Sequence, residues 1–160
     1  MKGEKKMRVF GDAKRFGYFL AVIFAAGMFV GGCAPTINYS YDPVADFSMG
    51  KNYSWASGSL ADHPEPLIEK NVRYYGDQFL KDKGFTLSWD KPDFVISMNY
   101  TPDYFDSYKV LLLNLYIYRA NGKELIWKGT AEGCLRVDAA SADLAEAVKK
   151  ILANFPPKKR

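Results

Sequence analysis

Residues 110–129 read VLLLNLYIYRANGKELIWKG. Two apolar runs, Val110 to Tyr118 and one beginning at Leu125, flank Asn121-Gly122. Asparagine and glycine both tolerate the positive φ of a type I′ turn, so the pair predicts a tight antiparallel hairpin. With a two-residue turn, Arg119 faces Glu124, Tyr118 faces Leu125 and Tyr116 faces Trp127. One hairpin face then carries Tyr116, Tyr118, Leu125 and Trp127. The other carries Leu111, Leu113, Leu115, Ile117 and Ile126. Both faces are more apolar than a sheet wetted on one side requires, so each calls for a cover or a partner.

Moving outward, the return strand extends from Leu125 to Arg136, with Gly129 and Gly133 allowing a close approach or a bulge. Ser141 is placed to cap a helix whose apolar stripe is Leu144, Val148, Ile151, Leu152 and Phe155, ended by Pro156-Pro157. Upstream of the hairpin, Thr101 to Ser107 reads as a polar, aromatic loop and Phe94 to Tyr100 as a strand. Phe85 to Leu87 is a shorter strand. Pro64-Glu65-Pro66 opens another helix, since proline suits a first turn. Its stripe is Ile68, Val72, Tyr75 and Phe79, and Gly84 stops it. Lys51 to Trp55 is a further strand, and Asn38 to Tyr41 has strand-like alternation. This order predicts an α+β fold: a mostly antiparallel sheet with two helices packed on one face. The expected core joins Leu113, Leu115 and Ile117 to Val72, Phe79, Val148 and Ile151. The opposite face, with Tyr104, Tyr116, Tyr118 and Trp127, is expected to form a partly covered aromatic groove for a partner or an amphiphile.

The first 32 residues have a different character. Lys2, Lys5, Lys6, Arg8, Lys14 and Arg15 make a basic stretch, and Phe16 to Val30 follows without a charge. That run is shorter than the ~20 residues a spanning helix needs, and it has the layout of a secretory signal. Val30-Gly31-Gly32-Cys33 then resembles the lipobox of bacterial lipoproteins, in which the cysteine takes a diacylglycerol and the chain is cut before it. Ala34, by the same resemblance, permits sorting to the outer membrane. The expected organisation is a removed signal at 1–32, a lipidated tether at 33–40, one domain at 41–157 and a basic tail at 158–160. The chain has 22 basic and 18 acidic residues, and the excess lies entirely in residues 1–32, leaving 16 of each beyond them. A neutral domain lacks the positive footprint of nucleic-acid binding.

Further residues carry a family likeness. Tyr41-Asp42-Pro43, Asp46-Phe47, Tyr53-Ser54-Trp55, Lys83-Gly84-Phe85, Lys91-Pro92-Asp93-Phe94, Leu125-Ile126-Trp127-Lys128-Gly129 and Asn154-Phe155-Pro156-Pro157 follow in the order of a lipoprotein family called domain of unknown function 4136. The chain resembles that family over nearly all of its mature length. The resemblance implies a small envelope lipoprotein and supplies no catalytic residue.

Chemistry-bearing residues are sparse. Asp62-His63 sits in a proline-rich loop, where a solvated histidine is the simpler reading than an acid–base pair. Asp103 and Asp106 lack the alternating oxygen ligands of a calcium loop. Cys134 reads as a small buried hydrophobe in a strand. Phosphate-binding glycine loops, metal-spaced clusters and G-x-S-x-G are missing from the sequence. The expectation is a non-enzymatic accessory protein of a Gram-negative envelope, with no cofactor and no metal. It is expected on the periplasmic face of the outer membrane, bound to the membrane by its lipid and partnered by another envelope protein. The alternative is a lipid- or glycan-binding module that uses the aromatic face.

Overall fold

The computed structural model describes residues 34–48, 50–121, 124–138 and 141–158. The expected signal, Cys33, Gly122 and the last two residues of the basic tail lie outside them. The described chain runs β1 (Thr36–Tyr41), β2 (Asn52–Trp55), α1 (Pro66–Asp82), β3 (Thr86–Leu87), β4 (Phe94–Asp103), β5 (Asp106–Arg119), β6 (Glu124–Arg136) and α2 (Asp143–Ala153). The strands form one six-stranded sheet in the order β1-β6-β5-β4-β2-β3. The pairs β1/β6, β6/β5 and β5/β4 are antiparallel, whereas β2 is parallel to both β4 and β3. The fold is therefore α+β, with a mixed, mostly antiparallel sheet and two helices on it, as the element order predicts.

Both helices lie on the same face and touch each other. A Cβ on Gly76 of α1 would lie 2.7 Å from the Trp55 ring of β2 and 3.9 Å from Leu152 of α2. Gly129 of β6 is likewise pressed by Ile151 of α2 and by the Trp127 ring. The buried side of α1 is Ile68, Val72, Gly76 and Leu80. The expected stripe is thus rotated: Tyr75 and Phe79 are flanking, half-buried residues. The reason is Gly76, whose missing side chain lets the Trp55 indole seat against the helix. Gly84 ends this region at φ +80°, a left-handed backbone that favours glycine.

The N-cap of α2 is Ala142 rather than Ser141. Ser141 still contributes, because its hydroxyl accepts the Asp143 N–H at 3.1 Å. The helix ends at Ala153, so Phe155 lies beyond it. Its ring contacts Phe47, Phe85, Phe94 and Trp127 at centroid distances of 6.0, 5.5, 5.7 and 5.6 Å. Leu113, Leu115, Ile117, Val72, Val148 and Ile151 are all fully buried in the same core. Burial of each such side chain contributes about 1.5–3 kcal/mol.

Three expectations change. Residues 36–40, expected as tether, are strand β1, whose six residues all pair with β6. The expected loop at Thr101–Ser107 is a continuation of two strands around a Tyr104-Phe105 turn. Asp103 and Asp106 build that turn, since their carboxylates accept the N–H of Phe105 and Tyr108 at 2.9 and 3.0 Å. Finally, the hairpin register holds only at its end. Arg119 faces Glu124 and Tyr118 faces Leu125, but a bulge then inserts Ile126, so that Ile117 faces Trp127 and Tyr116 faces Lys128. A second register shift falls where Gly133 has φ +144°, the bulge that its glycine allows.

Candidate functional site

The four expected groove residues do not converge. Because a register slip of one residue sends a side chain to the other face, the bulge at Ile126 turns Trp127 toward the helices. Trp127 is 1% exposed and belongs to the aromatic cluster around Phe155. Its buried indole N–H has no hydrogen-bond partner among the described residues. Tyr104 is 74% exposed at the β4–β5 turn, its ring 6.5 Å from that of His63. Only Tyr116 and Tyr118 remain together, half-buried, on the sheet face away from the helices. Cys33 lies outside the described residues.

That open face also differs in chemistry from the expected one. Its pairing rows place Ser97 beside Tyr116, and Asn114 between Asn99 and Thr130. Ser54, Ser97 and Asn114 are buried polar residues there, shielded by their neighbours in the sheet. Thr130 donates its hydroxyl proton to Asn114 Oδ1 at 2.8 Å. Lys128 Nζ sits 5.4 Å from the Tyr116 ring centroid, a favourable cation–π placement. With Trp127 gone, the face is small, polar and hydrogen-bonded at its centre, and it needs no apolar cover. Among the described residues no helix or strand lies over it.

The helix side holds two polar clamps. Asp77 accepts hydrogen bonds from the Tyr53 hydroxyl and the Trp55 indole N–H, both at 2.7 Å. Burial, and then the Asp77 carboxylate, push the Tyr53 hydroxyl far above its ordinary pKa of 10.0. Arg73 stacks on Trp55 at 5.6 Å and donates to the Ala56 carbonyl at 2.9 Å. Lys83 Nζ donates to the carbonyls of Leu152 and Ala153 at 2.9 and 3.2 Å, and to that of Phe155. Burial lowers its pKa from 10.5. Its partners are all carbonyl acceptors at the negative end of α2, where a donating side chain is favoured. Both clamps join the helices to the sheet or to each other, and both are structural.

Sequence reasoning missed an open cleft of about 720 Å³, lined by Tyr41, Val44, Phe47, Pro156, Pro157 and Lys158. Asp42-Pro43 and Pro156-Pro157 read as punctuation in the sequence, yet they bring the two ends of the domain to one concave surface. The remaining candidates stay apart. Asp62 and His63 are exposed. Asp106 pairs with Lys109 at 2.9 Å; the hydrogen bond from that ammonium, and then the one from the Tyr108 N–H, hold its carboxyl below the ordinary range. Cys134 is a free, exposed thiol and not a buried hydrophobe, because strand alternation places it with exposed Glu132 and Arg136, opposite the buried Ala131 and Leu135. Among the described residues, no three His, Cys, Asp or Glu side chains gather as a metal site, and no helix is long and apolar enough to cross a membrane.

The family description Domain of unknown function (DUF4136) fits residues 37–157. No curated relative matches the sequence. Among solved structures, the chain is similar to a DUF4136 family protein from Bacteroides thetaiotaomicron, with a TM-score of 0.59 and 13% identity over 76% of this chain and 96% of that one. It is also similar to the PelC dodecamer from Paraburkholderia phytofirmans, with a TM-score of 0.55 and 11% identity over 74% of this chain and 95% of that one. A PDZ domain protein from Parabacteroides distasonis shares the fold at a TM-score of 0.56 and 14% identity, over 80% of this chain and 37% of that one. At these identities the likeness is one of fold.

Proposed function

The chain belongs to the DUF4136 family, and from that footing we propose that it is a lipid-anchored interaction protein of the cell envelope, non-enzymatic, on the periplasmic face of the outer membrane. The anchor is Cys33, after Val30-Gly31-Gly32 and a short apolar run. Two acyl chains or more make such an anchor stable, each buried CH₂ adding about 0.8 kcal/mol. The observation that carries the interaction role is the sheet face without a helix, where Tyr116, Tyr118 and Lys128 surround a hydrogen-bonded polar centre. Tyrosines of this kind present large, rigid contact area with a polar tip. The association of the similar PelC fold as a dodecamer supports the reading that such a domain works by contact with other chains. The alternative, a lipid- or glycan-binding aromatic face, retains only Tyr116 and Tyr118 of its four rings, so the interaction reading stands ahead of it.

The test is chemical crosslinking in native membranes followed by recovery of the protein and its partners. Tyr116→Ala with Tyr118→Ala is expected to lose a specific crosslinked species while the purified variant still unfolds cooperatively. Unchanged crosslinks in a folded variant would contradict the role given to this face.

A further inference from the structure

We infer that the β4–β5 turn is a second membrane contact: the Tyr104-Phe105 tip rests in the lipid interface beside the anchor and fixes how the domain stands on the bilayer. This rests on the proposed lipidation of Cys33. The tip is unusual among the described turns in presenting adjacent, open rings. Phe105 is 102% exposed, Tyr104 74% and Tyr108 61%. Aromatic side chains with an apolar body and, for tyrosine, a polar end favour the headgroup boundary.

Topology supplies the second argument. β1 enters the sheet at Thr36, opposite Glu132 of β6, and a Cβ on Gly133 would lie 3.2 Å from Pro35. Farther along the same direction Arg136 pairs with Lys109, and β5 continues back to Asp106 and the turn. The chain therefore enters the domain at the end of the sheet that carries the aromatic tip. From Gly133 to Arg136 and from Lys109 to Phe105 is seven residues of strand, about 23 Å at the usual rise of about 3.3 Å per residue. Cys33 is two residues before Pro35, a reach of about 7 Å at most. The tip thus extends on the order of 15 Å beyond the reach of the anchor, using the same strand rise and chain reach. A lipid held on so short a tether brings the tip to the membrane. An interfacial segment buries its apolar side by about 5–10 Å, so the domain leans until Tyr104 and Phe105 lie at that depth.

The local polar groups suit this depth. Asp103 and Asp106 fold back onto the turn's own N–H groups. Asp106 also pairs with Lys109, and Arg136 pairs with Asp138 at 2.8 Å. The rings, and not the charges, form the apex.

The experiment uses the full-length lipoprotein, processed in cells and reconstituted in vesicles of phosphatidylethanolamine and phosphatidylglycerol. Phe105→Cys and, separately, Val44→Cys are made with Cys134→Ser and carry a nitroxide label. Val44 is also exposed but follows the opposite end of β1. The expected result is that the label at 105 collides more with oxygen than with a water-soluble nickel chelate, and the label at 44 the reverse. Mass analysis of the N-terminal peptide reports the lipid on Cys33. Lipidated protein whose label at 105 behaves like that at 44 would overturn this inference alone. Protein found without lipid on Cys33 would overturn the anchor and this inference together. Adding Tyr104→Ser should shift the label at 105 toward water, and no shift would count against the tip.

Discussion

Trp127 shows how much one residue decides. Its indole fits because Gly129, two positions along the same strand face, has no side chain; a Cβ there would collide with the ring and with Ile151. Gly129→Ala is therefore expected to destabilise the domain by about 1–3 kcal/mol through overpacking, measured by urea unfolding. Phe155 bridges Phe47, Phe85, Phe94 and Trp127, and Phe155→Ala should cost about 3–5 kcal/mol in the same assay. Tyr53 adds a pH dependence. Its folded pKa is raised above the ordinary 10.0, so below pH 10 the hydroxyl is protonated in both states and its bond to Asp77 is fully present. Above pH 10 the unfolded chain loses this proton while the folded chain keeps it, and stability falls as pH rises. Tyr53→Phe should lower stability at pH 7 by about 1.5–3 kcal/mol, the usual worth of a bond to a charged group. It should also make the alkaline loss shallower; an unchanged alkaline slope would contradict this linkage.

At the scale of elements, the register of β5 and β6 is the point at which the open face and the core part company. Tyr116→Cys with Lys128→Cys should oxidise to a disulfide, because the two residues are directly opposed on one face, with Cβ atoms about 4.5–5.5 Å apart, within roughly 1 Å of the separation a disulfide needs. Tyr116→Cys with Trp127→Cys should not, since those positions lie on opposite faces, and peptide mapping distinguishes the two outcomes. The hairpin itself was legible from Asn121-Gly122 and its flanking apolar runs, and the amphipathic stripes were enough to place both helices on one face. The bulge was not legible. Ile126 and Trp127 are both apolar, so either one satisfies the core, and nothing local to that strand records the inserted residue. The same ambiguity merged Trp127 with the tyrosines of the open face. Thr101 to Ser107 read as a loop because its aspartates and proline are turn formers; in the structure the aspartates flank a two-residue turn, while Pro102 lies in β4 opposite Val110. The role of Gly76 was not legible either, since the partner that needs its missing side chain, Trp55, is distant in sequence.

The described domain is a one-sided sandwich whose two helices cover one sheet face and whose strand entry and aromatic turn share one end. The proposed anchor at Cys33, the proposed association face at Tyr116 and Tyr118, and the inferred tip at Tyr104-Phe105 would together hold the domain close to a membrane and present it sideways to other chains. Because β1 begins at Thr36, a lipid on Cys33 would be separated from the sheet only by Ala34 and Pro35. Lengthening that link with a flexible Gly-Ser insertion after Ala34 is expected to leave membrane fractionation unchanged while lowering the recovery of crosslinked partners; unchanged recovery would show that the spacing has no role. All of this depends on the lipid. Metabolic labelling with radioactive palmitate, comparing the unaltered chain with Cys33→Ser, tests it most directly. The account predicts label on the unaltered protein in the outer-membrane fraction, and none on Cys33→Ser, which is released or stalls as the longer precursor. Equal labelling of the two proteins, or no labelling of either, would contradict it.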